Sequence, residues 1–248
     1  RLDSEESTTT SGSEYEGVDA TTDGTANAVY TAPGIKRFRM NFNAEQSHQA
    51  VQVGRTSYLS GGMLWQYDGS VAVESGFHVY PEKFTVAVSA GTGLTASRYY
   101  FYRVYAVWTN ANGETERSAC PASISQMMPG STNLECTLTI PTISHTNKLA
   151  SNGVAPIHFE VYRTTADPLA NSPFYKVSSD DPTDTTGENR YVTNDQTTQT
   201  VTFVDELADT VIIAKEIDYQ NSGELDNIAP PSASIIAEGK DRIWLAGF

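Results

Sequence analysis

Short apolar and aromatic runs begin at Val29 and recur along the chain: Phe38-Arg39-Met40-Asn41-Phe42, then Val51-Gln52-Val53, then Met63-Leu64-Trp65-Gln66-Tyr67. Turn-forming clusters separate them at Ser60-Gly61-Gly62, Asp68-Gly69-Ser70 and Glu74-Ser75-Gly76. That spacing predicts short antiparallel strands. Further on, Phe84, Val86 and Val88 alternate with Thr85, Ala87 and Ser89, and Gly91-Thr92-Gly93-Leu94 supplies a turn. The segment from Arg98 to Trp108 is dense in β-favouring side chains and reads as one long strand. It runs into Asn110-Ala111-Asn112-Gly113-Glu114, where Asn112-Gly113 suits the positive φ angles of a tight turn. Ser118 to Pro121 is expected to open the next strand, and Leu134 to Ile140, Ile157 to Arg163, Phe174 to Val177 and Val201 to Val204 follow as strands. A short helix or turn is expected between Asp205 and Ala214.

These runs imply an all-β chain with an inserted module. Residues 1–27, rich in Ser, Thr, Gly and acid, read as a flexible acidic arm or linker. Residues 28–79 read as the first part of a β platform, 80–207 as an inserted β-sandwich, 208–232 as a linker, and 233–248 as a return to the platform. The inserted part carries an internal echo, Tyr102-Arg103-Val104-Tyr105 against Val161-Tyr162-Arg163, as two strands of one small sandwich would. Insertion is tolerated where host strands lie close together at a surface. The chain starts at Arg1 and stops just after the apolar run Ile243-Trp244-Leu245-Ala246, so a fragment of a longer protein is expected.

Composition narrows the function classes. With 39% hydrophobic residues the chain is globular, and no run approaches the roughly 18 to 20 apolar residues of a membrane helix. Sixteen Lys and Arg against 30 Asp and Glu give a net charge of -14, which argues against a groove that works by neutralising phosphates. His48, His78, His145 and His158 are scattered without metal-ligand or general-base spacing and are read as surface or packing residues. No nucleophile elbow or phosphate-binding glycine loop occurs, so no catalytic residue and no cofactor is assigned. Cys120 and Cys136 flank a turn at Met128-Pro129-Gly130 and read as two small buried thiols or as a bridge between neighbouring strands. The loop from Ser179 to Glu188 reads as solvated or as a set of oxygen ligands for calcium. Glu114 and Glu116 sit beside a turn and are read as solvated. The aromatic stripe Tyr99, Tyr100, Phe101, Tyr102, Tyr105 and Trp108 is read as core and cross-strand pairing. Lys36, Arg37 and Arg39 form the basic cluster of the chain. It reads as a subunit docking patch for an acidic neighbour such as another copy, or as an edge strand protected by charge.

Arg98 to Trp108, with Asn110-Ala111-Asn112-Gly113-Glu114 and Ser118-Ala119-Cys120-Pro121, resembles the late strands of a fibronectin type III-like module. Around it, Gly61 to Gly69, Glu74 to Glu82, Glu160 to Thr165, Leu225 to Pro231 and Lys240 to Gly247 resemble bacteriophage tail structural proteins. In particular they look like the nozzle, or tail tubular, protein of short-tailed phages, over about residues 55–248. The resemblance implies β-propeller-like blade strands at Gln66 to Gly69 and Arg242 to Gly247, with the fibronectin III-like part as an insertion. It further implies a non-enzymatic virion component, assembled in the host cytoplasm as a homo-oligomeric ring. Its implied partners are adaptor or portal and tail fibre proteins, and DNA would pass through it without specific binding. The chain is shorter than a full nozzle, which needs more blades. Two other readings stay open: an adhesion module binding receptors or glycans through loops 143–156 and 179–198, and a polysaccharide-degrading enzyme whose site lies in missing sequence.

Overall fold

The computed structural model describes residues 48–132, 134–150, 153–218, 229–240 and 242–247. The arm at 1–27, the run Phe38 to Phe42 and the basic residues Lys36, Arg37 and Arg39 lie outside the described residues. Within them the fold is nearly all β, in antiparallel sheets. The described residues fall into two compact units, one from within Arg1–Ser75, Asn152–Val154 and Pro230–Phe248, the other from Gly76–Ser151 and Ala155–Ala229.

In the first unit, β1 (Ala50–Val53), β2 (Thr56–Leu59), β3 (Trp65–Tyr67) and β4 (Ala72–Glu74) form a meander in that order. Trp65, 1% exposed, anchors it against Ala72, Leu59, Met63 and Tyr67. The β3–β4 turn closes because the Asp68 carboxylate accepts the Ser70 and Val71 amides at 2.7 and 2.8 Å, an Asx turn that replaces missing ladder bonds.

The second unit holds β5 (Thr85–Ser89), β6 (Tyr99–Thr109), β7 (Thr115–Arg117), β8 (Ile124–Met127), β9 (Glu135–Pro141) and β10 (His158–Arg163). It continues with β11 (Tyr175–Lys176), β12 (Val192–Thr193), β13 (Thr200–Asp205) and α1 (Asp209–Ile212). One sheet has the order β13-β9-β5. The other runs β11-β10-β6-β7, with β12 also on β10 and β8 also on β6. At the margins β5 runs near β8 and β12 near β13, so the pair closes part way into a half-barrel. Alternation along β6 sets the core: Tyr100, Tyr102, Val104, Ala106 and Trp108 are all buried, as are Cys136, Leu138 and Ile140 of β9 and Phe203 of β13. Each such large side chain contributes about 1.5–3 kcal/mol by leaving water. Of the aromatic stripe, Tyr100, Tyr102 and Trp108 lie in this core, Tyr105 is buried on the opposite face, Phe101 is half-buried and Tyr99 is 48% exposed.

Ser118 to Pro121 does not open a strand. Edge pairing on β6 is split into β7 and β8, and the bend between them contains Pro121, which has no amide to give a ladder. The turn before β7 forms as expected: Asn110 Oδ1 accepts the Asn112 and Glu114 amides at 2.9 Å, and Gly113 takes φ +82°. Residues 208–218, assigned from sequence to a linker, carry α1 and pack in the second unit through the fully buried Ile212.

The chain then returns to the first unit as β14 (Ile235–Gly239) and β15 (Arg242–Ala246). This hairpin is tied to the start of the meander: Ile236 N donates to Gln49 Oε1 at 3.1 Å, and Gly61 N to Ala233 O at 3.1 Å. No helix among the described residues is long and apolar enough to cross a membrane.

Candidate functional site

The face of β6 opposite the core is basic and aromatic, and the strand register shows why. Cross-strand pairing sets Arg103 beside Tyr162 and Tyr162 beside Lys176; the next row on the same face holds Tyr105 and Glu160, and the next Arg117, Val107 and His158. Three cations thus share one sheet face of an acidic chain. Tyr105 and Tyr162 meet edge to face at 5.6 Å, Phe174 and Cys120 pack against them, and the Arg103 guanidinium lies 3.9 Å from the Phe174 ring centroid.

An acidic strap covers this face. After α1, residues 216–218 pair with β11 as an added strand: Lys176 N donates to Glu216 O and Asp218 N to Phe174 O, both at 2.8 Å, around a Tyr175–Ile217 bridge. Asp218, its side chain 1% exposed, accepts from Arg103 Nη1 at 2.8 Å and Tyr105 Oη at 3.0 Å. Glu216 accepts from Tyr162 Oη at 3.4 Å and stands 3.8 Å from both Arg117 and Lys176. Beneath the strap, Glu160 binds Arg117 at 2.6 Å and Lys176 at 2.5 Å, and Lys176 also pairs with Asp180.

Protonation states follow from this packing. Burial opposes ionisation of Glu160, yet Arg117 and Lys176 outweigh it and hold the carboxyl below its usual range. Burial likewise disfavours the Lys176 ammonium, but Glu160 and Asp180 raise its pKa above the ordinary value. Burial pushes the Tyr105 and Tyr162 phenols well up, and the Cys120 thiol up to about 11. At neutral pH Lys176 stays charged, Glu160 ionised, and the phenols and thiol protonated, a state suited to charge-complementary docking of an acidic segment.

Two further charged groups are buried in the core side of the unit. Arg163, with no exposed side-chain surface, lies 3.2 Å from Asp205 Oδ2, donates to Leu207 O at 2.7 Å and stacks over Tyr100 at 4.7 Å. Lys148 is equally buried, 2.7 Å from Glu116 and over the Phe77 ring at 4.4 Å, and it also binds Gly76 O. Glu116 is therefore not solvated as the sequence suggested. Its carboxylate pairs with the buried Lys148 ammonium.

The two thiols are free. A bridge is ruled out by topology: Cys120 contacts Tyr105 and Cys136 contacts Tyr102, which alternation places on opposite faces of β6. Residues 181–188 are exposed, and Asp181 is occupied by Thr183, whose amide and hydroxyl it accepts at 2.8 and 2.7 Å. Glu188, however, brings an oxygen within 4.8 Å of Glu135 and Glu206, a trio of hard ligands that could hold a divalent cation. Two of the three already have neutral donors, Ser89 Oγ on Glu135 at 2.7 Å and the Thr92 amide on Glu206 at 2.9 Å.

Sequence reasoning placed the docking function at Lys36, Arg37 and Arg39, outside the described residues. It missed Arg103, Arg117 and Lys176 because they lie far apart in sequence and converge only through strand register. The available signal was the odd-position run Arg103, Tyr105, Val107 opposite an apolar even face. Comparison with protein-family models, with curated proteins and with solved structures finds no match for this chain.

Proposed function

We propose that the chain is a non-enzymatic structural protein of a phage tail, part of an oligomeric nozzle or hub in the virion through which genomic DNA is ejected. In this reading the first unit supplies blade strands of a propeller-like platform, and the second is a fibronectin III-like insertion. The observation that carries it is the return of β14–β15, with the run Arg242 to Ala246, to the unit that holds β1–β4, while the intervening chain, apart from Asn152–Val154, folds as a unit of its own. That is the organisation a platform with an inserted module requires, and the resembling segments fall on both units. The site favours assembly over chemistry, since its groups are locked in ion pairs. An acidic surface also suits a conduit, because a wall that bound phosphate would hold the DNA it must release.

The test is the assembly state of the complete reading frame in purified form and in particles. Cryo-electron microscopy should show a closed ring of identical subunits coaxial with the portal, meeting adaptor and fibre proteins. A monomer that binds glycan arrays through loops 143–156 and 179–198 would replace this reading with the adhesion module.

A further inference from the structure

We infer that residues 37–42 of this chain cover the outer face of the β14–β15 hairpin, with Phe38, Met40 and Phe42 laid against Trp244. The face itself is described in full. Hairpin register sets Ile235 opposite Ala246 and Ala237 opposite Trp244, so these four apolar side chains share one side of the sheet. All four are exposed, Ile235 at 49% and Trp244 at 57%. The opposite side is the packed one, where Ile236 is buried and Ile243 and Leu245 are half-buried. A hairpin of two strands is marginal in water, and this one has apolar residues on both faces with only one of them packed.

Trp244 is also held in position. Its Nε1 donates to Gly239 O at 3.2 Å, and a Cβ at Gly239 would stand 3.6 Å from that nitrogen, so the indole lies against the backbone of the hairpin. It forms a preformed platform on which a second apolar layer can rest.

The occupant follows from where the undescribed part of the chain joins the described part. Residues 1–47 lie outside the described residues and connect at His48. The next residue, Gln49, is tied to the hairpin directly: its Oε1 accepts Ile236 N at 3.1 Å, while its carbonyl accepts Ser60 N at 2.8 Å. Within residues 1–47 the run at 37–42 alternates at strand period, Phe38, Met40 and Phe42 against Arg37, Arg39 and Asn41. Extended, it repeats an apolar side chain about every 7 Å, the same spacing at which Trp244 and Ala246 repeat along β15. Residues 43–47 bridge up to about 17 Å, which is about the length of the five-residue β14, so the run reaches the whole face from its anchor. Arg37 and Arg39 then point away from the hairpin and stay in water, as the polar side of such a layer requires. Residues 1–27, dominated by Ser, Thr, Gly and acid, contain no comparable run.

Fluorescence of the full chain tests the contact. Trp65 and Trp108 are each 1% exposed, so acrylamide quenching reads Trp244, and Trp244→Phe identifies its share of the emission. Wild-type Trp244 should resist quenching. A full-chain Phe38→Ser/Met40→Ser/Phe42→Ser variant should expose it, with a red-shifted emission and a steeper quenching slope, while hydrogen exchange of the β2 and β3 amides stays unchanged. Wild-type Trp244 quenched as freely as in the triple variant overturns the inference. Protection that survives the triple substitution overturns it too, because another segment then covers the face, and protection that fades on dilution overturns it in favour of a second copy. Should the triple variant lose its β2 and β3 protection as well, a nitroxide on Met40→Cys decides, compared with a wild-type chain treated alike. Broadened Ala237 and Trp244 amide resonances support the contact, and unbroadened ones overturn it.

Discussion

Replacing Arg163 by Met tests whether the buried charge network holds the second unit together. The side chain has no exposed surface and neutralises Asp205, also fully buried, at 3.2 Å. Met keeps the packing of the aliphatic stem but leaves the Asp205 carboxylate with neutral donors alone: Tyr102 Oη at 2.9 Å, Asn189 Nδ2 at 2.8 Å and the Leu207 amide at 3.2 Å. Breaking one side of a buried pair costs about 3–5 kcal/mol, between roughly two and four orders of magnitude in the unfolding equilibrium. With a urea dependence of about 1–3 kcal/mol per molar, the midpoint should fall by at least about 1 M. Urea unfolding followed by fluorescence, with hydrogen exchange of the β6 and β10 amides to assign the loss to this unit, measures it. The reasoning makes a sharper claim about sign. Asp205→Asn should destabilise the wild-type chain, in which it strips Arg163 of its nearest carboxylate, and should stabilise Arg163→Met, in which it removes an uncompensated charge. If Asp205→Asn costs the same in both backgrounds, the pair is not electrostatically coupled and the argument fails.

Acid should weaken the fold through His158, which stacks on Tyr191 at 4.8 Å and whose pKa burial lowers to about 4. The unfolded chain takes up this proton near pH 6.5 and the folded chain only near 4, so stability falls as pH drops between those values, by up to about 1.4 kcal/mol per pH unit; His158→Gln should flatten that part of the profile. Both thiols are pushed up to about 11 by burial, so Ellman's reagent should label Cys120 and Cys136 on unfolding and not before; prompt labelling of the native chain would contradict their placement. Gly113→Ala faces open space but a φ of +82°, and should cost about 1–2 kcal/mol, whereas Gly93→Ala sets a Cβ 1.5 Å from the Glu206 carbonyl oxygen and should cost more. Equal melting shifts for the two would refute that close approach.

Periodicity made most strands legible. The alternations at 84–89, 98–108, 134–140 and 157–163 carry β5, β6, β9 and β10, and the apolar run at 242–246 carries β15. β2 and β4 were not legible, because Thr56 to Leu59 and Ala72 to Glu74 mix polar and apolar residues over four positions or fewer. The strap was hidden for another reason: Glu216-Ile217-Asp218 has no pattern of its own and becomes a strand only when the β11 edge and three distant cations receive it. The same holds for Lys148 and Arg163, whose charges gain meaning from partners 32 and 42 residues away at Glu116 and Asp205.

That distribution of charge bears on what the surface presents. Four of the 16 cations, Arg1, Lys36, Arg37 and Arg39, lie outside the described residues, and of the other twelve at least six are in ion pairs of the second unit: Arg98, Arg103, Arg117, Lys148, Arg163 and Lys176. Their partners are eight of the 19 described carboxylates. Among the described residues these pairs engage at least six of twelve cations against eight of 19 carboxylates, so pairing leaves that part of the chain with a higher ratio of acid to base. Beyond a Debye length of about 8 Å such a surface is screened, so it repels a polyanion at close range without forbidding its passage.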